Sequence, residues 1–411
     1  HNTKIYNADY FDESKFISLE EIFSNYSGYK EVLNDKNAEI WKEVRENIKK
    51  FNPDILGISM FTGAYKSAKI TAQIAKEINP NLKTVVGGPH PTLCAEGTLK
   101  NEEFDYAVVG EGEFVFLDLA SGKPLSDING LVYKKGGKII KNPEREFIAD
   151  LDSLPFPARN LFLDKGENIN FGNIATGRGC PYACRFCASP KIWKRKVRLR
   201  SADNVIKEIE EMISKYNQKS ISFVDDTFTL IKNRAMEICR KIIDKKLNIE
   251  WRCDTRADHL DDELVDLMKK AGCVCIRLGV ESGSDKVLKL MNKMATKDQL
   301  RKAANLVKKY GISLTVYLMA GFPGETDEDL KETIDFAKEL EADYYSLGIV
   351  SPYYGTDIYF ELKEKGQLTE NEDWEYFFHQ SMDGVGSKNL NPKLLEEFLS
   401  LNKTCGKGSR I

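Results

Sequence analysis

The run Gly179-Cys180-Pro181-Tyr182-Ala183-Cys184-Arg185-Phe186-Cys187 holds three cysteines in the spacing C-x3-C-x2-C. Cysteine thiolates are the usual ligands of iron–sulfur clusters. Three thiolates this close on one loop can bind three irons of a [4Fe-4S] cube and leave the fourth iron open. An open iron can bind a substrate as well as pass electrons. The motif therefore predicts a catalytic cluster held by Cys180, Cys184 and Cys187.

Two other kinds of metal site also use closely spaced cysteines. A zinc knuckle pairs cysteines as C-x2-C and completes four ligands with Cys or His, and a plain ferredoxin-type cluster has four cysteine ligands. The next cysteine along the chain is Cys239, so no fourth ligand lies nearby in the sequence. The spacing favours a cluster with an open iron over both alternatives.

The bulk composition limits the remaining functions. The 411 residues suffice for two or three domains. Sixty Lys and Arg against 63 Asp and Glu leave a formal net charge of -3, which argues against a nucleic-acid partner held by bulk electrostatics. No apolar run approaches the ~18 residues of a membrane helix. Nine cysteines, an odd count, favour a reducing compartment. We therefore expect a cytoplasmic protein without a membrane span.

The first part of the chain alternates strand patterns with helical ones. The alternation indicates a parallel sheet with covered faces, in which ligands bind at the carboxyl ends of the strands. We expect this α/β domain at residues 1–120 and a linker at 121–165, which contains a hairpin turn at Lys134–Gly137. The predicted elements are strands at Thr3–Asn7, Asp54–Ser59, Lys83–Gly87 and Tyr106–Val109 and a helix at Tyr65–Ile78.

The second part contains six further strand patterns separated by amphipathic helices. Six β/α units predict a partial (β/α)6 barrel at residues 166–355, because eight units would need more chain than remains. Thr326 is the expected N-cap of one helix. Residues 356–411 are expected to form a small, mainly helical region. The predicted barrel strands are 172–176, 220–224, 250–253, 274–279, 313–319 and 344–350.

The second part resembles the radical S-adenosylmethionine (SAM) enzymes. As in that family, the cysteine loop follows the first barrel strand, and polar or glycine-rich turns follow the next four strands. The resemblance implies that Phe186 packs near the SAM adenine and that Arg256 binds the SAM carboxylate. The family often has Gly-Gly-Glu at the turn that contacts the SAM amino group, where this chain has Asp225 and Asp226.

The last two turns complete the implied SAM pocket. In the family a polar residue after the fourth strand binds the SAM ribose, a role that falls here to Glu281 and Ser282. The glycine-rich turn beside the adenine corresponds to Gly321 and Gly324. Taken singly, each turn has an ordinary structural explanation, such as a helix cap or a tight turn. Their order, each after its own strand, makes the set specific.

The glycine turns of the first domain resemble the cobalamin-binding domains that precede some radical SAM barrels. The implied cobalamin contacts are Ser59, Thr62, Gly87, Gly88, Gly110 and Glu111. Small residues at these turns permit close approach of the cofactor tail. The family's domain has five parallel strands, of which only the last four are recognisable here, so we expect an upstream strand that this sequence lacks. His90 is interpreted as a turn residue and not as a cobalt ligand.

The two resemblances together imply a cobalamin-dependent radical SAM methyltransferase. In that reading, reductive cleavage of SAM yields a 5'-deoxyadenosyl radical that removes hydrogen from an unactivated carbon of a small molecule or natural product, and methylcobalamin supplies the methyl group. An electron donor such as flavodoxin or ferredoxin is implied. Three alternatives stay open: oxidative cyclisation or rearrangement, as in the anaerobic magnesium-protoporphyrin cyclases, a non-catalytic cofactor-binding protein, and a radical SAM enzyme without cobalamin.

A basic stretch follows the cysteine loop. Residues 191–200 contain six Lys and Arg residues, interrupted by Ile192, Trp193, Val197 and Leu199. Most such stretches are solvated surfaces. The alternative is a site for an anionic substrate or for the acidic surface of a redox partner.

Overall fold

The computed structural model describes residues 2–6, 31–161, 172–368 and 385–401. Contacts divide the chain into two compact units. The first contains His1–Ile148, Asn160–Asp164 and Pro352–Ser381, and the second contains Ala149–Arg159, Lys165–Ser351 and Met382–Ile411. Each unit is a mixed α/β structure built on its own sheet.

The first unit has a Rossmann-like core around a five-stranded sheet. Its strands are β1 (Ile55–Ser59), β2 (Lys83–Gly87), β3 (Tyr106–Val108), β4 (Leu131–Lys135) and β5 (Lys138–Lys141), and they lie in that order across the sheet. Neighbours among the first three strands are parallel, whereas β4 pairs antiparallel with both β3 and β5. The helices are α1 (Glu39–Phe51), α2 (Tyr65–Ile78), α3 (Pro89–Thr98) and α4 (Gly112–Ala120).

Two features of this unit differ from the sequence-based expectation. The predicted strand at Thr3–Asn7 is wrong for the described part, because residues 2–6 form no strand and Asn7 lies outside the described residues. An alternating pattern makes a strand only where a neighbour pairs with it. The stretch 121–165, expected as a linker, contributes the β4–β5 hairpin to the sheet, with its turn at Gly136 and Gly137.

The sheet positions two turns side by side. Ser59 and Gly87 are register partners at the carboxyl ends of β1 and β2. Helix α2 covers the sheet with the buried side chains of Ala68, Ala72 and Ala75, whose small size permits close packing. The turns that follow β1 and β2 therefore share one edge of the sheet, where α/β folds bind ligands.

The second unit contains a six-stranded sheet and a separate antiparallel pair. In chain order the strands are β6 (Asn173–Ile174), β7 (Gly177–Arg178), β8 (Arg198–Leu199), β9 (Ser220–Phe223), β10 (Glu250–Thr255), β11 (Cys273–Glu281), β12 (Ser313–Ala320) and β13 (Tyr344–Ile349). The main sheet has the order β13-β12-β11-β10-β9-β6, and all neighbours in it are parallel. This arrangement confirms the predicted partial (β/α)6 barrel. Strands β7 and β8 form the antiparallel pair.

The helices of this unit lie between the strands and after them. They are α5 (Ser189–Ile192), α6 (Ala202–Tyr216), α7 (Lys232–Asp244), α8 (Asp262–Lys270), α9 (Asp285–Leu290), α10 (Lys297–Lys309), α11 (Asp327–Leu340) and α13 (Pro392–Leu399). Thr326 caps α11 as predicted: its backbone N–H donates to Asp329 Oδ2 at 2.9 Å in a capping box. Helix α12 (Asp357–Glu364) belongs to the first unit, where Gly355 lies against Leu93.

The two faces of the barrel sheet have different chemistry. Trp251 on β10 is fully buried among the helices and packs against Phe223 and Phe228. The alternate positions of β10 carry Arg252 and Asp254, which face the interior of the barrel. The barrel therefore combines an apolar outer layer, which stabilises it, with a charged interior. No helix among the described residues has the length and apolar character needed to cross a membrane.

Candidate active site

The cysteine loop is held at both ends. Strands β7 and β8 pair antiparallel and enclose residues 179–197. Within the loop, Arg185 N donates to Met291 O at 3.0 Å, and Asn292 Nδ2 donates to Ala183 O at 2.8 Å. The loop is thus attached to the turn after α9 as well as to its own hairpin.

Gly179 is required where the loop leaves β7. Its φ of +92° is one that L side chains rarely adopt, and a Cβ atom there would overlap the carbonyl oxygen of Lys196. Gly179→Ala should therefore displace the cysteine loop, lower the iron bound after reconstitution, and destabilise the protein by more than about 2 kcal/mol.

The matched control for this prediction is Gly137→Ala in the β4–β5 turn. Gly137 has a φ of +74°, and a Cβ atom added there would have no neighbouring atom within 4 Å. This variant should lose only about 1 kcal/mol of its free energy of unfolding, because of backbone strain, and should bind iron fully. Iron analysis and denaturant unfolding measure both effects, and equal iron content in the two variants would contradict the prediction.

The three thiols lie half-buried on this loop. Burial raises the pKa of Cys180 and Cys184 and raises the pKa of Cys187 to about 12. A thiolate is therefore unfavourable there unless a cation compensates for the lost solvation. The donor set fits a cluster, because thiolates are its ligands and three of them share one loop.

The arrangement also bears on the zinc alternative. Among the described residues, no group of three or more His, Cys, Asp or Glu side chains is placed to hold a single metal ion. In a cubane cluster each thiolate binds a different iron, so cluster ligands lie further apart than the ligands of one ion.

A cavity of about 330 Å³ opens at the carboxyl ends of the barrel strands. It brings together Asp225, Asp226, Arg256 and Glu281 from the expected SAM pocket. Its lining does not include Phe186, Ser282, Gly321 or Gly324. The remaining lining residues are Val224, Asp254, Thr255, Arg277, Gly279, Lys293 and Tyr317.

Asp225 is hydrogen-bonded to backbone N–H groups. Its carboxylate accepts from Thr176 N at 2.6 Å and Gly177 N at 2.7 Å, and it also accepts from the Thr176 hydroxyl. Burial raises the pKa of Asp225, against the effect of these hydrogen bonds. Asp225 thus holds the segment between β6 and the cysteine loop, a positioning role. Asp226 lines the cavity, and its Oδ2 accepts a hydrogen bond from Ser189 Oγ at 2.7 Å.

Arg256 is also engaged within the protein. Its Nε and Nη2 donate to the two carboxylate oxygens of Asp258 at 2.9 and 3.1 Å. The guanidinium lies 3.7 Å from the ring centroid of Tyr182, inside the cysteine loop. Two of its donors are therefore committed to Asp258, and the residue connects the cysteine loop to the end of β10.

Glu281 and Lys293 form a buried pair that the sequence did not indicate. Lys293 Nζ donates to Glu281 Oε1 at 2.7 Å, and both side chains are at most 10% exposed. Glu281 has a φ of +70° next to a register shift between β11 and β12. A non-glycine residue with positive φ is uncommon and often marks a functional site. Nearby, Ser282 Oγ lies 2.9 Å from Thr333 Oγ1 and is fully buried.

The sequence also did not indicate a second hydrogen-bond network in the barrel interior. Arg277 Nη2 donates to Asp254 Oδ2 at 2.7 Å and to Ser222 Oγ at 3.1 Å. Tyr317 donates to Asp254 Oδ1 at 2.8 Å. A charged residue in the middle of a strand pattern was the available signal, because parallel-sheet strands are otherwise apolar.

The turn after β12 contains an unusual carboxylate. Both Gly321 and Gly324 have positive φ, and Glu325 Oε2 accepts from Gly321 N at 2.5 Å and Phe322 N at 2.9 Å. The other oxygen of Glu325 is buried without a hydrogen-bond partner among the described residues. Burial raises the pKa of Glu325 to about 7, against the effect of the two backbone hydrogen bonds.

This pKa predicts a dependence of stability on pH. The ordinary glutamate pKa is 4.5, so between pH 4.5 and about 7 the folded protein retains a proton that the unfolded chain releases. The free energy of unfolding should fall by roughly 3 kcal/mol as the pH rises through this window. Glu325→Gln, which keeps the acceptor oxygen, should abolish this component.

Denaturant unfolding at several pH values measures the difference between the two proteins. The control Glu332→Gln changes an exposed carboxylate on α11 and should keep the slope. A wild-type slope that survives in Glu325→Gln would contradict the assignment.

The first unit places the expected cobalamin residues at one edge of its sheet. Gly88 has a φ of +103°, and a Cβ there would lie 2.9 Å from Met60 O. Gly110 has positive φ, and a Cβ added to it would meet no atom within 4 Å. The buried Thr62 Oγ1 lies 3.0 Å from His90 Nδ1, and Ser59 is exposed. This edge is a cradle of small residues.

Three observations limit the expected role of these residues in binding cobalamin. Glu111 is buried, and its Oε2 accepts from Ile148 N at 2.7 Å, so it fixes the chain after β5. Burial lowers the pKa of His90 to about 4, so its ring is neutral at pH 7. A larger cavity of about 660 Å³, lined mainly by α1, β1 and α2, includes Ser59 but none of the other five expected residues.

Two family models match the chain. The Radical SAM superfamily matches residues 174–337, and the B12 binding domain matches residues 17–120. The uncharacterized methyltransferase PH0819 of Pyrococcus horikoshii is 38% identical over 327 residues, which cover 78% of this chain and 71% of that protein. The anaerobic magnesium-protoporphyrin IX monomethyl ester cyclase of Rubrivivax gelatinosus is 31% identical, with 81% and 63% covered.

Solved structures show the same fold. The methyltransferase TsrM from Kitasatospora setae, with tryptophan and a SAM analogue bound, superposes with a TM-score of 0.66 at 19% identity, covering 80% of this chain and 68% of that one. OxsB with aqua-cobalamin and S-adenosylmethionine bound gives a TM-score of 0.60 at 24% identity, covering 79% and 49%. The chain thus spans about half to seven-tenths of the length of these proteins.

Proposed function

We infer the function from the family: the chain belongs to the radical SAM enzymes that carry an amino-terminal B12-binding domain. We propose that it is a cobalamin-dependent radical SAM methyltransferase that acts on a small molecule. The observation that carries this proposal is the three-cysteine loop at the carboxyl end of the six-stranded barrel, together with the charged cavity that opens at the same end. Residues 1–120 would bind cobalamin, and residues 166–355 would bind the cluster and SAM.

When bound, the cofactors would supply the radical chemistry: a [4Fe-4S] cluster would provide the electron that SAM cleavage needs, and cobalamin would provide the methyl group. The chain would hold the cluster through Cys180, Cys184 and Cys187. The small residues at the edge of the first sheet leave space for cobalamin, and the three glycines Gly87, Gly88 and Gly110 have the least bulk.

The cavity supports SAM binding by its charges. SAM carries a cationic sulfonium, an ammonium and a carboxylate. Asp226 lies in the cavity and is held by Ser189, so it suits the ammonium. The buried Glu281–Lys293 pair presents both signs of charge in a site where fixed charges act strongly. Because Arg256 is committed to Asp258, we now propose a positioning role for it.

The resemblance to the magnesium-protoporphyrin cyclase favours one alternative, a radical SAM/B12 reaction without methyl transfer. Product mass separates the two, because methylation adds a methyl group whereas cyclisation does not. The relatives act on or bind different small molecules, among them tryptophan and a magnesium porphyrin. We propose only a small-molecule substrate, and a flavodoxin or ferredoxin as the electron donor.

The test uses protein with a reconstituted and reduced cluster, incubated without oxygen with SAM that carries a deuterated methyl group. We expect formation of 5'-deoxyadenosine, and corrinoid absorption bands after loading with cobalamin. Absence of 5'-deoxyadenosine, even with extracts that contain candidate substrates, would support a non-catalytic binding protein. Normal cleavage without any corrinoid binding would support a barrel that acts without cobalamin.

A further inference from the structure

The cysteine loop lies in a segment with basic side chains and no carboxylates. From Arg178 to Arg200, 23 residues contain eight cationic side chains, although the whole chain has a net charge of -3. The positive charge is therefore concentrated around the cluster ligands. The eight residues are Arg178, Arg185, Lys191, Lys194, Arg195, Lys196, Arg198 and Arg200.

Four of these cations form an exposed surface, which we call the basic tip: Lys191, Lys194, Arg195 and Lys196. Two consecutive residues, Lys194 and Arg195, have φ values of +52° and +58°. Positive φ is uncommon for such residues. Here it makes a sharp turn, closed by the hydrogen bond from Lys196 N to Trp193 O at 2.9 Å, that projects the side chains outward.

The basic tip is attached directly to the cysteine loop. Arg195 Nε donates to Pro181 O at 2.8 Å, one residue after Cys180. Gly179, one residue before Cys180, packs closely against the backbone of Lys196. A molecule docked on the tip would lie beside the cluster ligands.

The inner cations of the segment have structural roles. Arg200 Nη1 pairs with Glu208 Oε2, and the Arg198 guanidinium lies 5.4 Å from the centroid of the Trp193 ring. The four cations of the tip are all exposed to solvent. A concentration of one sign of charge steers a partner of the opposite sign and raises its rate of association.

We propose that the basic tip is the docking surface for a small, acidic electron-transfer protein of the flavodoxin or ferredoxin class. The inference rests on the proposed function, which requires one electron per SAM cleavage. The donor loses one electron and the cluster gains it, and no bond or proton is exchanged. Because electron tunnelling weakens steeply with distance, a donor must dock close to the cluster, which is where the tip lies.

A nucleic acid is a less suitable occupant. Single strands bind on exposed aromatic platforms within a basic groove, and the aromatic residue of this turn, Trp193, is already covered by Arg198. The net charge of -3 also opposes non-specific binding to a polyanion. A compact acidic protein matches a small cationic turn better.

The experiment measures reduction of the reconstituted cluster by a reduced acidic flavodoxin in a stopped-flow instrument at several salt concentrations. The tip variant is Lys191→Glu/Lys194→Glu/Lys196→Glu. Its control, Lys219→Glu/Lys246→Glu/Lys302→Glu, makes the same charge change at exposed lysines. Lys219 and Lys246 precede the amino ends of β9 and β10, at the opposite end of the barrel, and Lys302 is on α10. Lys246 also has a positive φ, which matches Lys194.

We expect the tip variant to be reduced at least about tenfold more slowly at low salt, with a flattened salt dependence, while the control stays close to wild type. Reduction by a photoexcited, uncharged deazaflavin and the bound iron should be equal in all three proteins. A Lys→Gln version of the tip should give an intermediate rate.

Equal flavodoxin rates and salt slopes in the two charge-reversed variants would overturn the proposal. So would loss of affinity for a DNA duplex or an RNA strand in the tip variant with an unchanged flavodoxin rate. Failure of SAM cleavage after deazaflavin reduction of the wild-type protein would instead count against the proposed function, so the two failures are distinguishable.

Discussion

Replacement of one cluster cysteine should abolish SAM cleavage. We expect Cys184→Ala to lose most of the iron and sulfide bound after reconstitution, because two thiolates on the loop no longer hold a cube in place. Formation of 5'-deoxyadenosine should fall by more than about 10³-fold, which corresponds to about 4 kcal/mol in the barrier. Iron analysis, the visible spectrum and quantification of 5'-deoxyadenosine measure these effects.

The matched control for the cysteine experiment is Cys239→Ala. Cys239 is fully buried in α7 among apolar neighbours, so it is a structural cysteine. Its replacement should cost about 1 kcal/mol of stability, as the loss of a small buried group does, and should leave the iron content intact. Full iron binding by Cys184→Ala, or an equal loss in Cys239→Ala, would contradict the assignment of the ligands.

The second large effect concerns a buried carboxylate on α6. We expect Glu208→Gln to destabilise the second unit by about 3–5 kcal/mol, because it leaves one buried and one largely buried guanidinium group without their counter-charge. Glu208 is 1% exposed and pairs with Arg159 Nη2 at 2.6 Å and Arg200 Nη1 at 2.5 Å. Denaturant unfolding of the apo-protein followed by circular dichroism measures this loss.

This network also supports the cluster loop. Arg159 Nη2 donates to Asn173 O at 3.0 Å, and Arg200 Nη1 donates to Ala175 O at 3.0 Å, so both hold the end of β6. We therefore expect Glu208→Gln to lower iron binding as well. The control Glu211→Gln breaks a partly exposed pair with Lys215 on the same helix and should cost less than about 1 kcal/mol. Equal destabilisation of the two variants would contradict the network.

Much of the fold followed from local patterns. The helix Tyr65–Ile78, the strand Lys83–Gly87 and the Thr326 cap were predicted as the structure has them, because periodicity and capping are encoded by neighbouring residues. The predicted strand at Thr3–Asn7 was wrong for the described residues. Its alternating pattern was as clear as that of Lys83–Gly87. Strand pairing, however, depends on residues far away in the sequence, which a local pattern does not show.

The site was less accessible to sequence reasoning. The spacing of Cys180, Cys184 and Cys187 indicated a metal site because the ligands are close in sequence. In contrast, Glu208 lies 49 residues from Arg159, and Arg277 lies 23 residues from Asp254. Such pairs exist only once the strands are aligned.

The structure also changes the interpretation of some expected contacts. Asp225 and Glu111 are buried and bond to backbone N–H groups, so they fix strand ends and loops. Arg256 and Asp258, two residues apart, form an ion pair that the sequence could have suggested. These residues thus also bond within the protein, and their contact with a cofactor stays a prediction.

We propose that this chain transfers a methyl group by radical chemistry. The most direct measurement compares small molecules by mass spectrometry in cells with and without the gene, grown without oxygen on methionine with a deuterated methyl group. We predict one metabolite that carries the labelled methyl group only when the gene is present. A product that differs between the two cultures but carries no added methyl group would contradict this claim.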